Sequence, residues 1–305
     1  MTVPTEEARP SPYVAVARSA LRGSRVTALG IGASAVLAAI KILCGIFGNA
    51  YVLIADGVES ILDIFSSLVV LGSLRIAATP PNERFPFGYG KIEPFGGVVM
   101  AVVLLATAVA IAFESVREIM TPHHGPAAFT LVVLLGVVAV KEFMFRRLRR
   151  TGEKIGSTAV LSDAWHHRSD AITSVAAFIG ISIALVGGPG YERADDWAAL
   201  AACVVIAFNG VRLFRTALAE ILDVKVSDQI ENEVRSVSAA VEGVCAIDKC
   251  RIRKSGLGYF IDIHVVVDGD ITVRRGHAIG HEVKDALLAS DLGILDVAVH
   301  VEPLA

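Results

Sequence analysis

The stretch Thr158–Val186 reads TAVLSDAWHHRSDAITSVAAFIGISIALV. It is long enough to cross a bilayer, which takes about 20 mostly apolar residues, yet it carries Asp163, His166 and Asp170 at spacing i, i+3, i+7. That spacing puts the three on one helical face. A second stretch, Tyr51–Ala77, carries Asp56, Glu59 and Asp63 at the same spacing. A charged side chain at the centre of a membrane helix costs at least about 2.5 to 3.5 kcal/mol. Two such stripes are therefore expected to face each other or a wet cavity, not lipid.

Apolar windows of spanning length also occur at Val26–Phe47, Ile92–Ile119, Ala127–Phe145 and Asp195–Leu213, which makes six predicted membrane helices. A hydrophobic content of 54% and a mean hydropathy of +0.61 agree with a bilayer as solvent. The joints carry helix breakers: Gly48-Asn49, Pro80-Pro81, Thr121-Pro122 with Gly125-Pro126, and Gly187-Gly188-Pro189-Gly190. The net charge of -3 gives no global basic field, so nucleic acid is not expected as a partner. Four scattered cysteines (Cys44, Cys203, Cys245, Cys250) without a CxxC pair argue against a disulfide framework or thiolate zinc site, and are expected to be buried apolar residues. No signal peptide is legible, so the first helix is expected to direct insertion.

Positive charge is sorted by position. Arg18, Arg22 and Arg25 precede the first window; Arg75, Arg84 and Lys91 surround the second connection. Arg146, Arg147, Arg149, Arg150 and Lys154 fill the fourth, and Arg212 and Arg215 close the sixth window. The remaining connections hold only Arg117 and Arg193 near their edges. The positive-inside bias then predicts that both termini are cytoplasmic, and the expected location is the cell (inner) membrane, crossed several times.

Helices two and five run in opposite directions, yet Asp63 and Asp170 both fall near mid-window, so one shared site is possible. Glu59, Asp63, His166 and Asp170 supply three carboxylates and one imidazole, enough for a tetrahedral shell around a bare divalent cation. Magnesium prefers six oxygens and retained waters, so the histidine favours Zn2+ or Fe2+, with Mn2+, Co2+ and Cd2+ also candidates. Asp56 and Asp163, toward the outer and inner ends of their helices, are expected to line access paths. Arg168 and His167 lie off the stripe; Arg168 is expected to pair with a stripe carboxylate or snorkel.

From about Leu222 the apolar runs shorten. A helical stretch Val226–Val241, a strand Val244–Arg253, a turn Lys254–Gly258, an alternating strand Tyr259–Asp268, a helix Val273–Ala289 and a strand Leu295–Glu302 predict an α-β-β-α-β, ferredoxin-like α/β domain. The expected organisation is a cytoplasmic segment 1–25, an all-α six-helix transmembrane domain 26–221 and a cytoplasmic domain 222–305. Alternation puts Asp262 and His264 on one polar strand face, and Asp296, His300 and Glu302 on another. Adjacent strands would bring His264, His300 and Glu302 together, while His277 and His281 share a helix face.

Taken together these residues resemble the cation diffusion facilitator family. Ser162–Asp170 looks like its HxxxD motif, Ala55–Ser67 like its helix-two motif, and Phe87-Gly88-Tyr89-Gly90-Lys91-Ile92-Glu93-Pro94 is similar to the Gly-His-Gly-Lys-x-Glu that opens helix three. The terminal His300-Val301-Glu302-Pro303 is also family-like. The resemblance implies a homodimeric exchanger with alternating access, protons as counter-ion, and a transport site at Glu59, Asp63, His166 and Asp170. Glu59 departs from the Asp or His common there. It further implies cytoplasmic metal sites built from Asp248, His264, His277, His300 and Glu302, and a structural ion pair between Lys91 and Asp223. Some relatives bind a second ion in the loop before helix three; here the matching positions are Asn82, Phe85 and Tyr89, so that site is expected to be missing.

The function expected is divalent transition-metal efflux by metal/proton antiport, with a non-transporting membrane sensor or assembly factor as the alternative. An enzyme is not expected: His281-Glu282-Val283-Lys284-Asp285 falls short of HExxH, and four protein ligands leave no open position for catalytic water.

Overall fold

The computed structural model describes residues 12–47, 51–120, 129–187, 191 and 194–304; side chains at 12, 44–47, 51–59, 62, 130, 184 and 195 lie outside the description. Six long helices come first: α1 (Pro12–Phe47), α2 (Tyr51–Ala77), α3 (Ile92–Met120), α4 (Thr130–Ile155), α5 (Thr158–Gly187) and α6 (Ala194–Ile221). Among the described residues, four of them (α1, α3, α5 and α6) are long and apolar enough to cross a membrane. The other two are α2, whose first turns lie outside the side-chain description, and α4, whose second half is rich in arginine.

Helix and hydrophobic window do not coincide everywhere. α1 begins at Pro12, so Arg18, Arg22 and Arg25 lie within the helix, not ahead of it. The segment from Tyr13 to Arg25 is rich in Ala and Arg, which propagate a helix whether or not they suit lipid. α4 likewise continues past Phe145 through its arginines, where Arg146 donates to Glu142 and Arg149 to Glu153, each at 2.7 Å and one helical turn apart. It stops at Gly156, whose φ of 66° is left-handed.

Two compact units are distinguishable. One holds Leu21–Ile76 and Ile92–Ala219. There the turn from α4 into α5 is held by the buried Glu93 at the start of α3, whose Oε1 accepts from Ser157 Oγ (2.5 Å) and from the backbone N–H of Ala159 (2.8 Å). Ser157 Oγ in turn accepts from the Val160 N–H at 3.1 Å. A carboxylate and a hydroxyl thus satisfy the orphan donors at the positive end of α5, the helix that carries the stripe. α3 approaches α2 so closely at Gly96 that a Cβ there would sit 2.5 Å from Ser73 Oγ.

The other unit joins the described residues up to Ala20 with Ala77–Lys91 and Glu220 onward. It contains α7 (Asp228–Ala239), β1 (Ala246–Ser255), β2 (Gly258–Val267), α8 (Val273–Leu288) and β3 (Ile294–Pro303). The sheet order is β1-β2-β3, with β1 antiparallel and β3 parallel to β2, and α8 as the crossover. This is the expected α-β-β-α-β arrangement. Ile261, Ile263, Val265 and Val267 alternate inward along β2 to meet Val234 of α7 and Ile279, Val283 and Leu287 of α8. A smaller cluster packs Val16 and Tyr13 of α1 on Phe260, Leu257 and Leu295. The entry to α7 is tied by Lys225, which donates to Asp228 at 2.8 Å and pairs with Glu231 at 3.3 Å. Lys225 holds the Asp228 carboxyl below its ordinary value, as Arg235 and Lys225 together do for Glu231.

The cysteines are not uniformly buried. Cys203 is buried, Cys250 is partly so with its thiol pushed up by desolvation, and Cys245 is exposed at the start of the sheet, where its N–H pairs with Val266. Cys44 lies outside the described side chains.

Candidate metal site

The stripes of α2 and α5 meet. His166 Nε2 lies 2.9 Å from Asp63 Oδ1, and the ligand atoms of Asp63, His166 and Asp170 all fall within 4.8 Å of one another. His166 is buried, and its Nδ1 has no hydrogen-bond partner among the described residues. Asp63 and Asp170 keep a little exposure, at 12% and 20% of the side chain, so the cluster is not sealed. Two carboxylates and an imidazole converging at this spacing can close around one cation with small rotamer adjustments. The side chains of Glu59 and Asp56 lie outside the described residues.

Lys141 of α4 is the participant that pattern reading missed. Its Nζ stands 3.1 Å from Asp63 Oδ2 and 2.5 Å from Asp170 Oδ2, with only 2% of the side chain exposed. The signal was present: Lys141 follows an uncharged run from Thr130 to Val140, inside an apolar window. A lysine there has to find a partner or a role. Lys41 of α1 is a second buried lysine, donating to Ser60 of α2 at 3.1 Å.

Three neighbours of the stripe residues take definite places. Asp163, expected along an access path, is wholly enclosed, and its Oδ1 accepts from Ser67 Oγ at 2.8 Å, stitching α5 to α2. Arg168 pairs with Glu142 of α4 and lies over the Phe145 ring at 4.8 Å, so its ion-pair partner among the described side chains is not a stripe carboxylate. His167 is buried with both ring nitrogens unpartnered among the described residues, facing Gly30 of α1, where a Cβ would come within 3.2 Å of Nε2.

In the sheet, His264 and His300 stand directly abreast on β2 and β3, their ring centroids 4.8 Å apart. Glu302 lies two residues further along the same face of β3, with Oε1 2.7 Å from His264 Nδ1 and 3.6 Å from His300 Nε2. These three form the second metal-competent cluster among the described residues. Asp248 and His277 are not part of it. Asp248 falls where the β1–β2 register slips between Ile247 and Cys250. His277 packs edge-on against His281 at 4.6 Å on α8.

Lys91 and Asp223 do meet, at 2.5 Å. The lysine does more than pair: Nζ also donates to the backbone oxygens of Glu220 (2.9 Å) and Ile221 (3.3 Å), the last carbonyls of α6. A cation at a helix C-terminus complements both the orphan carbonyls and the macrodipole. Asp223 holds a left-handed φ of 57°, a conformation that Asp tolerates better than most residues. In the preceding loop Asn82 Oδ1 accepts from the N–H groups of Arg84 and Phe85, its Nδ2 donates to Tyr89 Oη at 2.8 Å, and the Phe85 and Tyr89 rings stack at 4.7 Å. Those side chains are engaged with one another.

Compared with known families, residues 27–222 match the cation efflux transmembrane domain and residues 226–304 match the cytoplasmic domain of cation efflux proteins. The chain belongs to the cation diffusion facilitator (cation efflux) family. It is accordingly a multi-pass membrane protein. Among its relatives, Metal tolerance protein C1 of Arabidopsis thaliana is 29% identical, over 92% of this chain and 62% of that protein. Manganese efflux system protein MneP of Bacillus subtilis is 28% identical, over 92% and 95%. Metal tolerance protein 2 of Oryza sativa is 30% identical, over 92% and 78%. The chain thus spans 62% of the first relative's length and nearly all of the second's.

Proposed function

We propose that the protein exports a divalent transition-metal cation from the cytoplasm across the cell (inner) membrane in exchange for protons. The observation that carries this reading is the convergence of Asp63, His166 and Asp170 from two membrane helices onto one cation-sized space. Glu59, one turn before Asp63 on α2, completes the proposed donor set. Carboxylates with one imidazole suit Zn2+ or Fe2+, and the family relative named for manganese efflux adds Mn2+ as a serious candidate.

Residues 26–221 are proposed as the transport domain, and 222–305 as a cytoplasmic domain that dimerises and binds metal at His264, His300 and Glu302, with both termini cytoplasmic. Metal binding requires its ligands deprotonated, so metal release lets protons return; this couples the two fluxes through the same side chains. Support for transport over a static sensor comes from the seat of His166 and Asp170 on α5, a helix long and apolar enough to span, and from the family.

The test is metal uptake by proteoliposomes containing the wild type or Asp63→Ala, with zinc, iron(II), manganese, cobalt and cadmium supplied one at a time. Flux of at least one metal in the wild type and its loss in Asp63→Ala is the expected result. A wild type that binds metal at this site yet moves none identifies a sensor or assembly factor instead.

A further inference from the structure

We propose that Lys141 is a tethered counter-cation: its ammonium occupies the space between Asp63 and Asp170 when the transport site is empty, and an incoming divalent ion displaces it. The inference rests on the reading of Asp63, His166 and Asp170 as that site.

The geometry divides Asp63 between two partners. Oδ1 faces His166 Nε2 at 2.9 Å, and Oδ2 faces Lys141 Nζ at 3.1 Å, while Asp170 Oδ2 lies 2.5 Å from the same ammonium. A metal ligated by both carboxylates would stand about 2.0 to 2.2 Å from its oxygens. The ammonium therefore lies in the space such a metal needs, and a divalent ion and a lysinium cannot share it. Arg168, on the same helix as Asp170, is held by Glu142.

The arrangement answers a problem that any alternating-access carrier faces. Its site has to return without metal, and a metal-free pair of carboxylates in a low-dielectric interior carries charge that has to be compensated. A lysine reaching in from α4 supplies part of that compensation from within the protein, beside the exchanged protons. It is suited to leaving again, being a compact point charge on a flexible four-carbon stem rather than a bidentate fork. The consequence is that metal affinity is set by competition: removing the lysine charge should tighten binding, the opposite of what loss of a ligand would do.

The experiment is equilibrium binding of cobalt, zinc and manganese, each alone, to full-length protein in nanodiscs at fixed pH. The background carries His264→Ala and His300→Ala, so that only membrane binding is read. Lys141→Met and Lys141→Gln are expected to bind at least about tenfold more tightly than the background protein. Lys141→Arg, which keeps the charge, is expected to bind no more tightly, and Asp63→Asn to lose binding. Two neutral variants guard against one failing to fold. Unchanged or weaker binding in the neutral variants, with Asp63→Asn still abolishing it, overturns the counter-cation and leaves the transport site standing. Binding that survives Asp63→Asn removes the transport site itself, and this inference with it.

Discussion

Glu93 concentrates much of the structural logic in one carboxylate. It stands in the Gly-Lys-Ile-Glu stretch that opens α3, yet its hydrogen bonds from Ser157 and the Ala159 N–H anchor the start of α5. The depth of His166 and Asp170 depends on where α5 begins, so this contact bears on the site from a distance. Glu93→Ala should cost about 1 to 3 kcal/mol, the penalty for leaving buried donors unmet. Thermal unfolding in detergent reads it: the variant should melt lower, with Glu93→Gln, which keeps an acceptor oxygen, falling between. A Glu93→Ala protein melting with the wild type would show that the anchor carries no weight. A second prediction concerns the sheet. Zinc at about one hundred times its dissociation constant should stabilise the folded cytoplasmic domain by about 2.7 kcal/mol, and His264→Ala or His300→Ala should remove that gain. Asp248→Ala and His277→Ala should leave most of it, since neither residue joins the His264–His300–Glu302 cluster; equal losses from all four would mean a larger site than the geometry contains.

Among the elements, legibility followed how local the deciding physics is. β2 was readable to within a residue because Ile261, Ile263 and Val265 alternate strictly against one core, and α8 because its capping Thr272 accepts from the Arg275 N–H at 3.2 Å. The start of α1 was not, because hydropathy reports the solvent a residue prefers and not the hydrogen bond its backbone makes. The site was legible as two stripes, since acidic spacing on a helix is a local pattern. Lys141 and the enclosure of Asp163 were not, because each depends on which helices become neighbours. The same limit applies to Gly90 and Gly256. A Cβ on Gly90 would lie 2.3 Å from Ser255 Oγ and 2.6 Å from Ser255 O, and one on Gly256 would lie 2.7 Å from Gly90 O. The loop before α3 therefore meets the β1–β2 hairpin backbone to backbone, at a turn where Gly256 also needs its left-handed φ of 61°. Gly90→Val should separate the two segments. Hydrogen exchange would then rise in the 77–91 loop and the 254–258 turn while β3 stays protected; unchanged exchange would mean the contact is dispensable.

For the whole molecule the governing quantity is the free energy of moving a divalent ion out against an inside-negative potential, about 4.6 kcal/mol per 100 mV. One entering proton per metal offsets about half of that, and a pH gradient adds about 1.36 kcal/mol per unit for each proton exchanged. Coupling can therefore be read from a plateau instead of a rate. In vesicles with an acidic lumen, the membrane potential clamped at zero and one pH unit across the bilayer, an exchanger of one proton per metal should accumulate metal about tenfold, and one of two protons about a hundredfold. A protonophore should discharge the gradient and release the excess. A plateau at simple equilibration would make the protein a uniporter and remove the proton from the proposed mechanism. His300→Ala is expected to change the approach to the plateau and not its height, because a site outside the translocation path can alter how often the carrier turns over but not the stoichiometry that fixes the end point. Asp63→Ala, which removes a group that both metal and proton would use, should abolish accumulation altogether.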